Sequence, residues 1–274
     1  MTSSALGKAG RYTFTYGVAL LFLIPLYILV NLALRPRTDL SPGLLPTLAP
    51  TFDNFIGAWA QSDLGRAMVN SILVTAISSL LVALIATMAA YPLARSTARL
   101  STATFYLFLV GLLLPFQVAT FPLYLMMRDL GLLGTIWGLV LFYVGSQMPF
   151  SVFLVTTFLR TGVPLEYEEA ARIDGCSDVR VFRTIVLPLL RPVLGTLLIL
   201  NSVGIWNDFF TPLLYLSGTA QTTLPVALYQ FVGSYATNWP LVFAGLIIAM
   251  APILIVFLVF QRYVIHGFAG GLKG

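Results

Sequence analysis

Few side chains in this chain can carry chemistry. The 274 residues hold ten acidic side chains, one histidine and one cysteine. An intramembrane enzyme would need a His with Asp, Glu or Ser partners, a pair of Asp, or an H-E-x-x-H metal site, and His266 at the C-terminal edge supplies none. No partner stands at ligand spacing from it, so it reads as a membrane-edge residue. Cys176 alone permits no intrachain disulfide and no cysteine cluster for zinc or iron–sulfur binding. No G-x-x-x-x-G-K-[ST] loop cradles nucleotide phosphates. No catalytic residue, metal or cofactor is therefore expected on this chain. Two places keep polar chemistry: a charged island at Pro164–Pro192 and one carboxylate, Asp208, inside an apolar run.

The island reads as two short helices broken by a glycine. Pro164 suits a first helical position, and Glu166, Glu168 and Glu169 place negative charge at the positive end of the helix dipole. Gly175 can take the left-handed conformation that ends the helix. Ser177 is expected to cap a second helix, with Phe182, Ile185 and Val186 forming an apolar edge and Pro188 stopping it. A compact charged hairpin at a membrane surface is shaped to be gripped by another protein; the bland alternative is an amphipathic loop lying on headgroups.

The elements that position these residues are membrane spans. The chain is 58% apolar and 9% charged, against ~25% charged in soluble domains. Residues 1–11 are a short N-terminus and 12–34 a first span, too long for a signal peptide and lacking a good cleavage site. Residues 35–66 form an outer segment in which Phe52, Phe55, Ile56 and Trp59 share a face of a short amphipathic helix. Five more runs follow within 67–264, near 67–94, 103–127, 134–159, 192–216 and 241–264, and residues 265–274 are a tail. Prolines 115, 122, 149, 212 and 252 predict kinks. The expected fold is all-α, with six transmembrane helices.

The formal charge of +5 does not indicate a nucleic-acid partner, because the basic residues are scattered between spans rather than gathered on a face. They set topology instead. With the N-terminus inside, Lys8, Arg11, Arg95, Arg99, Arg160, Arg172, Arg180, Arg183, Arg191, Arg262 and Lys273 are cytoplasmic. Arg35, Arg37, Arg66 and Arg128 are outside.

The spacing Glu169-Ala170-Ala171, three residues, Gly175, nine residues, Ile185-x-Leu187-Pro188 resembles the E-A-A loop of ABC-importer permeases, without a gap. The resemblance implies a type I (MetI-like) transmembrane domain whose loop, residues 161–191, carries a cytoplasmic coupling helix that docks on a separate ATPase. It gives Glu169, Ala170, Ala171, Asp174, Gly175, Ile185, Leu187 and Pro188 as coupling residues. The Glu169 carboxylate would pair with a basic residue of the ATPase, while the two alanines allow close approach. Asn70-Ser71, Tyr91-Pro92-Leu93-Ala94-Arg95, Trp206-Asn207-Asp208-Phe209, Thr223-Leu224-Pro225 and the ending Gly270-Gly271-Leu272-Lys273-Gly274 are similar to the carbohydrate-uptake class, near the smaller permease of maltose- and glycerol-phosphate-type systems, where Val is commoner than Leu272. Implied partners are a second homologous permease, a dimer of cytoplasmic ATPases holding ATP and magnesium, an extracytoplasmic solute-binding protein and a sugar or sugar-like solute. The implied location is the bacterial inner membrane, with both termini cytoplasmic.

For a solute path the residues themselves offer Asn201, Trp206, Asn207, Asp208 and Tyr215 in the fifth run, with Gln117 and Gln147 beside them. Amides, a carboxylate and aromatic rings suit hydroxyls and the C–H face of a sugar. Asn201, Gly204 and Asp208 share a helical face. Asn201 and Asp208 could equally hydrogen-bond neighbouring helices. The loop from Ser217 to Pro240 could meet a binding protein or simply anchor at the interface. The Gly-rich tail could reach the ATPases or be a disordered end. An ion-coupled carrier or channel would carry more ionisable residues in its spans and show repeated halves, and neither is visible.

Overall fold

The computed structural model describes residues 3–39, 41–60, 63–114, 116–235 and 237–270, with side chains from residue 10 to 259 apart from Phe116 and Gln117. Pro115, Gly271, Leu272, Lys273 and Gly274 lie outside the described residues, as do the side chains of Lys8, Gln117, Arg262 and His266. The described backbone is helical: α1 (Ser3–Ala33), α2 (Asp53–Ala60), α3 (Leu64–Arg95), α4 (Arg99–Leu113), α5 (Phe116–Asp129), α6 (Ile136–Gly162), α7 (Glu166–Ile173), α8 (Asp178–Val181), a π-helical turn (Phe182–Val186), α9 (Leu187–Leu189), α10 (Arg191–Asn207), α11 (Phe210–Tyr215), α12 (Leu224–Ser234) and α13 (Trp239–Gly270).

Four helices are individually long and apolar enough to cross a membrane: Gly10–Ala33, Leu64–Arg95, Ile136–Gly162 and Trp239–Val259. The number rises to at most six if each of two bent pairs is one span, Arg99–Leu113 with Val118–Asp129 (107°) and Asp178–Leu189 with Arg191–Asn207 (69°). The expected third span, 103–127, is thus bent between two helices, and the 69° bend falls just before the expected fifth span, 192–216. The fifth is interrupted at Asp208, whose extended backbone (φ −70°, ψ 119°) separates α10 from α11.

Two expectations for the island are corrected. Pro188 does not stop the helix but lies inside α9, and the chain turns by 69° only on passing from Leu189 to Arg191. A proline has no N–H and its ring crowds the preceding turn. The π-helical turn just before it widens the helix, so the Leu187 N–H reaches the Phe182 carbonyl. Ser177 occupies the N-cap position of α8, yet its hydroxyl makes no capping bond. Of the tail, the part to Gly270 continues α13, and Gly271–Gly274 lie outside the described residues. The segment between Ser217 and Pro240 contains α12.

The chain divides into two compact units, Met1–Gly65 with Ala227–Ala251 and Arg66–Val226 with Pro252–Gly274. In the first, Ala33, Ala58, Phe231, Leu241 and Ala244 form the core. The small helix α2 buries Asn54 and Ala58 and leaves Ile56 and Trp59 outward, with Phe52 just before it, whereas Phe55, expected on the same face, packs against the core. Asn54 Nδ2 holds the end of α1 through the Ala33 and Arg35 carbonyls at 2.9 and 2.8 Å. Arg35 is buried beside Asp39 (3.6 Å), and its guanidinium donates to the carbonyls of Ser41, Pro42 and Leu45.

Hydrogen bonds from the Ser41 hydroxyl and amide hold the Asp39 carboxyl below its ordinary pKa. A depressed carboxyl stabilises the fold above its unfolded pKa and loses that effect as pH falls through the folded value. Arg35→Met removes donors from three carbonyls at once. It should lower stability in detergent by about 2–3 kcal/mol, read from thermal or SDS unfolding, and an unchanged midpoint contradicts the clamp.

Candidate functional site

The charged hairpin is built by local rules. Leu165 starts it, its carbonyl accepting the Glu168 and Glu169 amides at 3.0 and 3.1 Å, so all three glutamates of α7 fall in the first turn. The end is set by Gly175, whose φ of +83° suits glycine and strains other residues. Around it the Asp174, Gly175 and Cys176 amides return to the Ala170, Arg172 and Ala171 carbonyls, using up the terminal acceptors of the helix. Arg172 Nε then crosses the turn to Asp178 Oδ1 (2.9 Å), and that hydrogen bond raises the arginine's pKa further.

What holds the hairpin to the helices is Glu168, which is 0% exposed. Arg95, at the end of α3, donates to Glu168 Oε1 through Nε and Nη2, both at 2.8 Å. The Tyr91 hydroxyl donates to Oε2 at 2.9 Å, and Arg172 Nη2 approaches the same oxygen at 3.5 Å. Arg95 also reaches the Leu159 and Val163 carbonyls at the end of α6 (3.1 and 2.8 Å), and Arg160 of α6 donates back to the Leu93 carbonyl of α3 (2.9 Å). Each helix thus ends on an arginine supplied by the other, satisfying carbonyls that have no partner within their own helix. Around this polar knot pack Ala90, Val155, Leu159, Ala171, Val181 and Val186, with Phe182 against the Tyr91 ring at 5.1 Å. A buried carboxylate is tolerable only with such saturation by donors.

The opposite face of the hairpin is open. Glu169, Ala170, Asp174 and Leu187 are exposed, whereas Ala171 is buried in the core and Ile185 is half-buried. Ile173 and Val179, on either side of the Gly175 turn, are 86% and 69% exposed. A shallow groove lined by Tyr167, Ala170, Thr184, Ile185, Pro188 and Leu189 runs along this face.

The polar residues of α10 form a ladder against α6. Asn201 Nδ2 donates to Ser151 Oγ (3.3 Å), Gly204 lies beside Gln147 Nε2, and Asp208 Oδ2 accepts from the Tyr143 hydroxyl at 3.0 Å. Positions 201, 204 and 208 meet 151, 147 and 143, the spacing of two antiparallel helices in register. Asp208 Oδ1 also accepts the Thr211 amide (3.2 Å), starting α11 beyond the break. Trp206 faces elsewhere, lining a cavity of about 250 Å³ with Thr75, Ser79 and Ser202. Asn207 is exposed and bonds the Val203 carbonyl (2.9 Å), and Tyr215 is buried against Phe142 at 5.1 Å. The structure therefore brings Asn201, Gln147 and Asp208 together along one interface and leaves Trp206 and Tyr215 apart from it.

Two sequence signatures acquire physical roles. Asn70 Nδ2 donates to the Thr222 carbonyl (2.9 Å), and Ser71 Oγ accepts the Leu224 amide (2.8 Å), so Asn70-Ser71 seats the start of α12. Tyr91 and Arg95, both inside the Tyr-Pro-Leu-Ala-Arg signature, are the partners of Glu168. Sequence reasoning chose Glu169 within the E-A-A motif and missed Glu168; the available signal was a basic residue closing the second span and an acid one position before the motif.

Residues 82–269 match the family described as binding-protein-dependent transport system inner membrane component. The chain belongs to that family. This inner membrane component is a multi-pass membrane protein with the MetI-like permease fold. It is 37% identical over 258 residues, 94% of each chain, to the melibiose/raffinose/stachyose import permease protein MelC of Bacillus subtilis (strain 168). It is 34% identical to the probable starch degradation products transport system permease protein AmyC of Thermoanaerobacterium thermosulfurigenes, over 93% of this chain and 92% of that one. A chain in the crystal structure of a bacterial ABC transporter involved in the import of the acidic polysaccharide alginate superposes with a TM-score of 0.80, at 22% identity, over 96% of this chain and 98% of that one.

Glu168→Gln leaves the arginines around a neutral amide and should cost about 3 kcal/mol in unfolding free energy. Arg172→Gln, at the exposed rim of the same cluster, should cost no more than ~1 kcal/mol. Equal losses from the two substitutions would contradict the ranking drawn from burial.

Proposed function

We propose that this chain is the permease subunit of an ATP-driven importer of sugars, forming half of a translocation path with a second, homologous permease and coupling through the hairpin to a dimer of ATPases that hold ATP and magnesium. The reading is carried by one observation: a hairpin whose one face is fixed to α3 and α6 by Glu168, while its other face presents exposed Ile173 and Val179 beside the free-standing acids Glu169 and Asp174. Such a lever transmits force only if its root is stiff and its tip has a partner. Apolar tips are costly in water and favourable in a protein groove. The relatives named for melibiose, raffinose, stachyose and starch degradation products support a saccharide as the solute.

In this reading Glu169 pairs with a basic residue of the ATPase, Ala170 admits its backbone, and the groove at Ile185, Pro188 and Leu189 receives an apolar side chain. The hairpin lies in the cytoplasm, as do both termini, and the solute-binding protein docks on the opposite side. ATP-driven closure of the ATPases then shifts the permeases between inward- and outward-open states through the difference in affinity for the two. For the solute path, Asn201, Trp206, Asn207, Asp208, Tyr215, Gln117 and Gln147 remain the proposed residues. Gln147 and Asn207 flank the exposed surface at Gly204.

Purification of the tagged chain from its native membrane should bring an ATPase and a second permease with it. In that complex Glu169→Ala should reduce solute-stimulated ATP hydrolysis about fivefold or more, and Ile173→Asp should release the ATPase. Stimulated hydrolysis at the unsubstituted rate in both variants would sink the coupling role.

A further inference from the structure

The segment after the first span does not simply depart from the end of α1. It turns back along the helix. The Tyr27 hydroxyl donates to the Leu44 carbonyl (3.2 Å), and Asn31 Nδ2 donates to the Gly43 and Leu45 carbonyls (2.8 and 2.7 Å). Arg35 serves the carbonyls of Ser41, Pro42 and Leu45. Positions 27, 31 and 35 form one stripe at helical spacing, so every carbonyl from Ser41 to Leu45 accepts from that stripe. Gly43 packs on Leu32 and Ile28. Leu44 is thereby held level with Tyr27, six residues and roughly 9 Å along the axis before α1 ends at Ala33.

Backbone at that depth beside a membrane span must have its polar groups satisfied within the protein. Here it does. The Leu45 amide returns to the Pro42 carbonyl (2.9 Å), the Thr47 amide goes to Asn31 Oδ1 (3.0 Å), and Pro42 and Pro46 have no amide proton. The side chains turned outward are apolar: Leu44, Leu45 and Leu48 are 63%, 54% and 96% exposed. They continue the outward apolar surface of α1 at Leu20, Leu23 and Ile24.

We infer that residues 41–48 are a re-entrant lipid anchor, with Leu44, Leu45 and Leu48 inserted among the acyl chains of the leaflet that holds the C-terminal end of α1. The occupant is lipid because the leucines extend a surface that the first span itself turns outward. Saturation of five successive carbonyls is what hydrocarbon demands and water does not. The inference requires α1 to be a membrane span and is independent of which solute the chain carries; with the N-terminus inside, the leaflet is the outer one.

The test uses the full chain with its co-purifying subunits, reconstituted in vesicles of phosphatidylcholine and phosphatidylglycerol. Leu48→Cys on a Cys176→Ser background is labelled with an environment-sensitive bimane, with Phe14→Cys on α1 as the lipid-facing reference and Ser217→Cys as the exposed-turn reference. The expected result is a blue-shifted emission at position 48, quenched roughly twofold or more by lipids brominated on the acyl chain, as at position 14, and insensitive to aqueous iodide. Water-like emission quenched by iodide, as at position 217, overturns the anchor. Blue-shifted emission that neither quencher reaches overturns it too, and shows a protein partner covering the leucines.

Discussion

The structure depends on a carboxylate held where water does not reach. Glu168 has given up its hydration, and the donors of Arg95 and Tyr91 replace it, with Arg172 at the rim. An unpaired charge at such a depth is very costly, so the groups that stabilise it must stay in place. Those groups sit on α3 and, through the carbonyls of Leu159 and Val163, on the end of α6. A small hairpin with little core of its own is therefore locked to two long helices by one side chain. The lock explains why the same turn of α7 can carry a buried Glu168 and an exposed Glu169: one faces the knot and the other faces outward, a division that successive residues of a helix make possible.

The same economy recurs on α10. A polar face in a membrane helix has to be matched, and α6 supplies Ser151, Gln147 and Tyr143 in step with Asn201, Gly204 and Asp208. Asp208 does two things at once: it accepts from Tyr143, and it starts α11 through the Thr211 amide, so the break in the helix is stabilised by the residue that makes it. Gly204 leaves room at the middle of the ladder, where Gln147 approaches. Hydrogen bonds between membrane helices are each modest, about 0.6 kcal/mol on average, and a ladder of them fixes register more than it adds stability.

Much of this was legible in the residues. Apolar run length placed the long helices α1, α3, α6 and α13, because hydrocarbon thickness sets a length that composition alone reveals. Gly175 announced its own turn, since a positive φ suits few other residues. The amphipathic residues near α2 announced a short helix. What stayed hidden was long-range partnership. Arg95 and Arg160 read as topology charges, and only the packing of α3 against α6 shows that each caps the other's end. Glu168 looked like its neighbours because burial is decided by tertiary contact, not by residue type. Pro188 misled for a related reason: the rule that proline ends a helix ignores the π-helical turn that accommodates it. Tyr27, Asn31 and Arg35 carried a readable helical stripe, but their acceptors are backbone atoms of a loop that no pattern in the sequence locates.

The claim that Glu168 roots the hairpin is tested most directly by amide hydrogen exchange across residues 166–176 in the intact chain and in Glu168→Gln. Local opening free energies read out how firmly a segment is held. The account predicts protected amides in the unsubstituted protein, and exchange about tenfold faster or more in the variant, confined to the hairpin and the adjoining ends of α3 and α6. Unchanged protection of the hairpin in Glu168→Gln, with the rest of the fold intact, would show that apolar packing alone holds it and would contradict the account.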